Sequence, residues 1–478
     1  MTSRRFPAFA CFLACAVALG YAACSSSPKK GSKKREVLST EYNDTRAGRE
    51  ASKAVAVQMG LAGDPRLDAY VKEMGRKLLR GVPRRSFQYQ FEVVDQWEPN
   101  AFALPGGYVY IARGLFALAN TEDELANVVG HEITHAARRH AAAQQALAER
   151  SIPLAMGSQI QMAAYGRNME READKGGQIL SAAAGYDPMG MSTFLTDLGN
   201  VDKLTRGYSR MPSFFDTHPT SMERAAANAT RAREIRWQRD PSLGDTRASH
   251  LRRIDGMAVG QRPEAGLFFG DDFIHPDMNF RIRFPRGWHQ ANQNTQVGAV
   301  AKERDAIVFL TADLPDGDPR LMAQLWLERN REEMRLDLDE SQAVSIGGID
   351  SWRMEFTGRS RSSRLYVMTV FIPYQGATWR VTGMAPAGRA DRYKGRMLSV
   401  ARSFRPLSAK ERNGVKAQRL RVVKARAGED ISTLSSRTAN AWDPGTTAVY
   451  NGVFVNHRFQ EGDLVKTAQV EAYVPRKR

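Results

Sequence analysis

Two histidines stand four residues apart in GHEITH, residues 130–135, with Glu132 directly after the first. Residues four apart on a helix share a face, so His131 and His135 point the same way about one turn apart. Two neutral imidazoles at that separation can hold one zinc ion through their ring nitrogens. Glu132 lies about 100° around the helix axis, badly placed as a third ligand but able to reach a water at the metal and act as its base. The chain has only 8 histidines, so an accidental HExxH is expected on the order of once in a hundred such sequences. The competing reading is a surface helix with solvated histidines. Val128, Val129 and Ile133 argue against it, because they make the helix apolar and an unpaired His-Glu-His group buried there would be costly.

A catalytic zinc needs a third protein ligand and one open position. His140 is nearest in sequence. The spacing HExxHxxGxxH would require glycine at Arg138 and histidine at Ala141, and a straight helix cannot return His140 to the metal. His140 is therefore read as a supporting or structural residue. MEREADKGG, residues 169–177, places Glu170 and Asp174 on one face of a second helix. Glu170 can complete a His-His-Glu set holding one zinc per chain. Asp174 can accept the outer N–H of a ligand histidine and so fix its tautomer and orientation. Glu172 lies on another face and is expected in solvent.

Several elements must position these groups. Thr121 and Glu124 form a capping-box pattern at the start of the HExxH helix. Helices are predicted over about 40–60 and after Asp64-Pro65, a strand over 87–94, and a strand pair over 101–114 broken at Pro105-Gly106-Gly107. The second metal helix is predicted over about 169–184, stopped by Gly185. Residues 151–167 are rich in Ala and Met but too short and polar to cross a bilayer. After about residue 265 the pattern becomes alternating. MNFRIRFP, AIVFLTA, SWRMEFTG, LYVMTVFIPY and ATWRVTGMA read as strands, and DPRLMAQLWLERNREEMR and RADRYKGRMLSVARSF as helices. The basic run AKERNGVKAQR, residues 409–419, reads as a linker to a last small segment.

With 478 residues, the chain is too long for one compact core. The fold class is α+β multidomain: a mainly helical domain with a small edge sheet over 39–260, an α+β domain over 268–408 with no assigned role, and a small domain over 418–474. Residues 1–24 form an export signal, with Arg4 and Arg5 ahead of an apolar stretch and Ala22-Ala23 before Cys24. YAAC, residues 21–24, resembles the bacterial lipobox, which implies a lipid on Cys24, and residues 25–38 are a basic flexible tether. All 3 cysteines lie in this leader, so the exported chain is expected without a disulfide. The net charge of +17 favours anionic partners such as lipid head groups or wall polymer. No nucleic-acid-binding motif is present, and nucleic acid is not expected as a partner.

GHEITHAARRH, EREADKGG, AAAGYDP and DTHP, in that order and with NAFALPGGYVYI upstream, resemble the HtpX- and BepA-like metallopeptidases, gluzincins related to the CAAX prenyl proteases. The resemblance covers about residues 40–235. It implies a zincin-type fold, zinc on His131, His135 and Glu170, Glu132 as base, and His218 near the metal, where it can occupy the open position in a latent form. Without it, His218 would read as a turn residue before Pro219. It further implies a zinc metalloendopeptidase of the bacterial envelope, on the periplasmic side and lipid-anchored to a membrane, that hydrolyses extended or misfolded envelope proteins. Substrate would add a strand to the 101–111 edge, unless that segment is an ordinary hairpin. Residues 420–468, with Ala427-Gly428-Glu429-Asp430, Asn451-Gly452 and Glu461-Gly462-Asp463-Leu464-Val465, resemble a LysM module, which implies peptidoglycan as a second partner; a bland cap of strands and helices is the alternative. The competing function is a non-catalytic, wall-binding or chaperone-like lipoprotein with a structural zinc.

Overall fold

The computed structural model describes residues 41–82, 87–143, 166–205, 214, 218, 222–334, 336–359 and 364–476. The stretches expected to be an export signal and a basic tether, Cys24 and residues 151–165 lie outside these. Among the described residues no helix is long and apolar enough to cross a membrane.

The N-terminal part is helical around one small sheet. Helix α1 (Glu41–Gln58) and helix α2 (Pro65–Leu78) come first. Asp64 caps α2 by accepting from the Arg66 N–H, and Pro65 sits in the first turn, where its missing N–H costs nothing. Strands β1 (Gln90–Val94), β2 (Ala101–Leu104) and β3 (Tyr108–Ala112) form a sheet of order β1-β3-β2, with β1 parallel and β2 antiparallel to β3. Strand β2 is therefore an edge. Alternation sends Ala101, Ala103, Val109 and Ile111 into the main core, while Phe102, Leu104, Tyr108 and Tyr110 pack against α1 on the opposite face.

Helix α3 (Arg113–Leu118) leads to α4 (Glu122–Ala137), which carries HExxH and is buried from Glu122 to Ala136. Thr121 Oγ1 accepts from the Glu124 N–H at 3.1 Å. The return half of the predicted capping box is displaced by one residue: the Glu124 carboxylate takes the Asn120 N–H at 2.6 Å. Helices α5 (Arg167–Ala183), α6 (Gly190–Thr205), α7 (Met222–Glu234) and α8 (Thr246–Ile254) complete this part. The Gly185 that follows α5 has φ +82°, the left-handed conformation that ends a helix.

The alternating region forms two antiparallel sheets. A short strand β4 (Ala258–Val259) precedes β5 (Leu267–Phe269), β6 (Asp272–His275) and β7 (Phe280–Arg283). Strands β8 (His289–Gln293), β9 (Gln296–Val300) and β10 (Ile307–Pro315) are followed by helix α9 (Pro319–Met334). Then come β11 (Leu336–Ile346), β12 (Ile349–Arg359), β13 (Arg364–Tyr374), β14 (Ala377–Pro386), helix α10 (Ala390–Arg402) and β15 (Arg405–Pro406). The seven-stranded sheet has the order β11-β12-β13-β14-β10-β9-β8, and the smaller one β15-β7-β6-β5. Helix α9 covers one face of the large sheet through Trp326 against Phe356 and Phe371, and α10 the other through Tyr393 and Met397 against Val370 and Val381. This period-two division matches the alternation in the sequence.

The basic run 409–419 is not a linker. It contains helix α11 (Ala409–Asn413), capped by Ser408 and Glu411, and the first residues of strand β16 (Lys416–Lys424). Val415, Ala417 and Leu420 are buried while the charged residues between them face out, which is why charge content alone misleads. After helices α12 (Ile431–Thr438) and α13 (Pro444–Tyr450), strand β17 (Leu464–Ala472) pairs antiparallel with β16, and β4 adds a third strand. Leu420, Tyr450 and Ala468 belong to the same core as the helices around HExxH. The chain is thus α+β with several sheets, and its C-terminal segment packs directly on the N-terminal helical part.

Candidate metal centre

Helices α4 and α5 meet at glycines. A β-carbon on Gly130 would lie 3.0 Å from the Gly177 Cα, and one on Gly177 would lie 2.8 Å from the Asn127 carbonyl oxygen and the His131 nitrogen. Only residues without a side chain allow this approach, and it brings the short Glu170 side chain to the two histidines of α4.

The Nε2 atoms of His131 and His135 face each other at 2.9 Å. Glu170 Oε1 is 3.4 Å from His135 Nε2, and Oε2 is 3.7 Å from His131 Nε2. His218 Nδ1 lies 2.8 Å from Glu170 Oε1 and 3.3 Å from His131 Nε2. Donor atoms of His131, His135, Glu170 and His218 all lie within 4.8 Å of one another, and all four residues are buried. Two imidazole nitrogens cannot face each other at this distance with both lone pairs unsatisfied. Burial pushes His135 well below the ordinary histidine range, so its ring is neutral and able to act as a ligand. The donor set of two imidazoles and a carboxylate, with a third imidazole beside them, fits a zinc ion.

The outward ring nitrogens are held too. His131 Nδ1 is 3.0 Å from Asp174 Oδ1, and His135 Nδ1 is 2.9 Å from His140 Nδ1. With Nδ1 of each ring occupied, both Nε2 atoms turn inward. His140 reaches this place because the helix does not run straight on, contrary to the sequence expectation. Arg139 adopts φ 53°, and the chain turns back beside His135. His140 remains off the metal cluster itself. Glu172 is exposed, as expected, and lies 3.0 Å from Arg138 Nε and 3.4 Å from His140 Nε2.

Glu132 is fully buried and stands beside the ligand set, with Oε1 3.4 Å from His218 Nε2. Burial raises its pKa, while the charges of His218 and His131 pull it back. The backbone of Ala103, on edge strand β2, pulls it down as well. Burial would lower His218, but Glu170 and Glu132 outweigh it and raise the imidazole above its ordinary value. Its ring stacks on Phe214 at 4.2 Å.

Two residues of this cluster carry no motif in the sequence. Arg224, on α7, donates from Nε and Nη2 to Asp174 at 2.9 and 2.6 Å, and its Nη1 lies 2.9 Å from Glu170 Oε2. Asn228, one turn later, donates to Asp174 at 2.9 Å. The four-residue spacing on one helix face was their only signal. Burial would raise Glu170 and Asp174, yet His218 and His135 for the first, and His131 and Arg224 for the second, hold both far below the usual carboxylate range. Arg224→Met should lower zinc affinity about 10–100-fold, as loss of such supporting partners does. Competition with a chromophoric chelator measures this; unchanged affinity would deny Arg224 a part in positioning Glu170.

Residues 65–163 and 146–232 match Peptidase family M48. The chain is 33% identical over 202 residues to the beta-barrel assembly-enhancing protease of Escherichia coli K12, an alignment spanning 37% of this chain and 41% of that protein. It is 28% identical over 220 residues to the protein of that name in Yersinia pestis, spanning 41% and 44%. The mitochondrial metalloendopeptidase OMA1 of Schizosaccharomyces pombe is 28% identical over 173 residues, spanning 32% of this chain and 50% of its own length. The chain thus spans half or less of the length of each of these relatives. The motifs that bring two helices, two histidines and a glutamate together fall within the matched stretch, and residues 65–232 of this chain are similar to peptidase family M48.

Proposed function

We propose that the chain is a zinc metalloendopeptidase of the bacterial envelope that hydrolyses extended or misfolded proteins. The observation that carries this is the convergence of His131, His135 and Glu170 with the unliganded carboxylate of Glu132 alongside. A zinc ion held there supplies Lewis acidity, polarising a carbonyl and acidifying water. Glu132 takes the proton from the attacking water and delivers it to the leaving amine. His218 stands where it can stabilise the developing oxyanion; in the resting protein it crowds the ligand set and must move for substrate to enter.

Substrate lies extended along β2, the edge strand of the sheet, through main-chain hydrogen bonds. Strand β3 is central, so residues 101–104 rather than the whole 101–111 hairpin offer that edge. Such binding reads backbone and selects unfolded segments. The relatives are named for beta-barrel assembly and for mitochondria, and envelope proteins are the substrate class we propose here. The domain limits 39–260, 268–408 and 418–474, a lipid on Cys24, and a LysM-like glycan site in the last segment form part of the same reading. Support for the last comes from Asp430, which caps α12, from the buried Ile431 and Leu434, and from the positive φ of Gly428, Gly452 and Gly462.

The test is metal analysis with casein digestion. Purified protein should carry about one zinc per chain. Chelation should stop digestion and added zinc restore it. Digestion that persists in the metal-free protein would overturn the proposal.

A further inference from the structure

Helices α1 and α4 lie on opposite faces of the small sheet, yet they are joined by an ion pair. Asp44, in the first turn of α1 and 2% exposed, accepts from Arg139 just beyond α4 through both Nε and Nη2, the latter at 2.9 Å. Two layers on opposite faces can touch only around the rim of the sheet. Here the rim is the end of β2: Asp44 and Arg139 line one recess with Ala103, Leu104, Pro105 and His135. Helix α1 is seated tightly on that hairpin, since a β-carbon on Gly48 would lie 1.8 Å from the Pro105 carbonyl oxygen. The Tyr110 hydroxyl also donates to Ser52 Oγ at 2.8 Å.

We infer that this ion pair is the end wall of the substrate groove and sets its charge specificity. The inference rests on the metallopeptidase reading above. Ala103 lines the recess together with the metal-cluster residue His135, and Leu104 and Pro105 follow along the edge at roughly 3.3 Å per residue. A peptide laid along β2 therefore brings a side chain one or two residues from the scissile bond against Asp44 and Arg139. The bidentate pair presents no net charge, and the alanine, leucine and proline around it suit an uncharged substrate side chain. Asp44 masks the guanidinium against acidic residues, and Arg139 masks the carboxylate against basic ones. Discrimination comes from the charge left over when one partner is removed.

This predicts shifts of opposite sign. In a peptide series with Glu, Leu or Lys at each of the two residues on either side of the cleaved bond, the Glu-to-Lys ratio of kcat/KM should rise about tenfold in Asp44→Asn. It should fall about tenfold in Arg139→Gln, a change of about 1.4 kcal/mol in each case. Arg139→Lys, which keeps the charge, should stay near the wild-type ratio. A merely structural clasp would lower all rates together and leave the ratio alone. Ratios that do not move, or move the same way in both variants, overturn the inference while peptide cleavage by the wild type stands. If the zinc-loaded wild type cleaves none of the series, the metallopeptidase reading fails and this one with it. Should Arg139→Gln not fold, the direction of the shift in Asp44→Asn alone decides.

Discussion

Glu132→Gln should keep about one zinc per chain and lose peptide hydrolysis by a factor on the order of 10²–10⁴, the usual share of a positioned general base. The two halves of this result separate ligand from base. The donor set converges without Glu132: His131, His135, Glu170 and His218 supply it. Glutamine has nearly the same shape and removes a fully buried charge, so neither the packing of α4 nor the ligands should suffer. What it cannot do is accept the proton of the attacking water and return it to the amine. Zinc content by mass spectrometry and digestion of unfolded casein measure the two halves. If Glu132→Gln digested casein as fast as the wild type, the hydrolytic role of this site would be lost, and a metal held for structure alone would remain.

The parts of this site that could be read from sequence are those in which chemistry and helical period coincide. His131, His135, Glu170 and Asp174 are pairs spaced by four, and such spacing survives any tertiary arrangement. His218 was placed near them only by resemblance, and its neighbours in the cluster are 48 and 87 residues away in sequence. Arg224 and Asn228 had no motif because they act through Asp174 and Glu170, a link that exists only once α7 has packed. The return of His140 depended on a left-handed residue that is neither glycine nor asparagine, which sequence pattern does not flag. In the fold, the alternating strands of the large sheet were legible since both of its faces are covered and each face has its own period. The role of 409–419 was obscured because an amphipathic strand rich in Lys and Arg resembles a solvated linker in composition. Docking of the C-terminal segment was invisible for a different reason: its motifs describe how it folds on itself, and nothing in them states what its back packs against.

That docking has a large expected energetic signature at Lys466. This strand residue is fully buried and donates from Nζ to the carbonyls of Ala117, Leu118 and Ala119 at 2.8, 3.2 and 2.8 Å. Those carbonyls lie at the C-terminal end of α3, where no further helical N–H follows and a cation is favoured, and they stand directly before the cap of α4. Burial pushes Lys466 down to about 7 with help from Arg247, while Glu124 and Asp197 oppose this and favour the ammonium. Around it, Asn451 exchanges hydrogen bonds with the Lys466 backbone, and Trp97 stacks on Tyr450 at 5.8 Å. Lys466→Met would leave the carbonyls of Ala117, Leu118 and Ala119 without this donor. Leaving a buried acceptor without its donor costs about 1–3 kcal/mol, whereas the exposed Lys416→Met should change stability by no more than about 0.5 kcal/mol. Urea unfolding of the two variants makes the comparison. Because the lost bonds anchor the turn that starts the HExxH helix, zinc should also be released at lower urea in Lys466→Met. Equal stability of the two variants would mean that the last segment is not anchored to the helical part through this lysine. The expected loss would instead make the C-terminal segment a structural support of the metal helix, whatever else it binds.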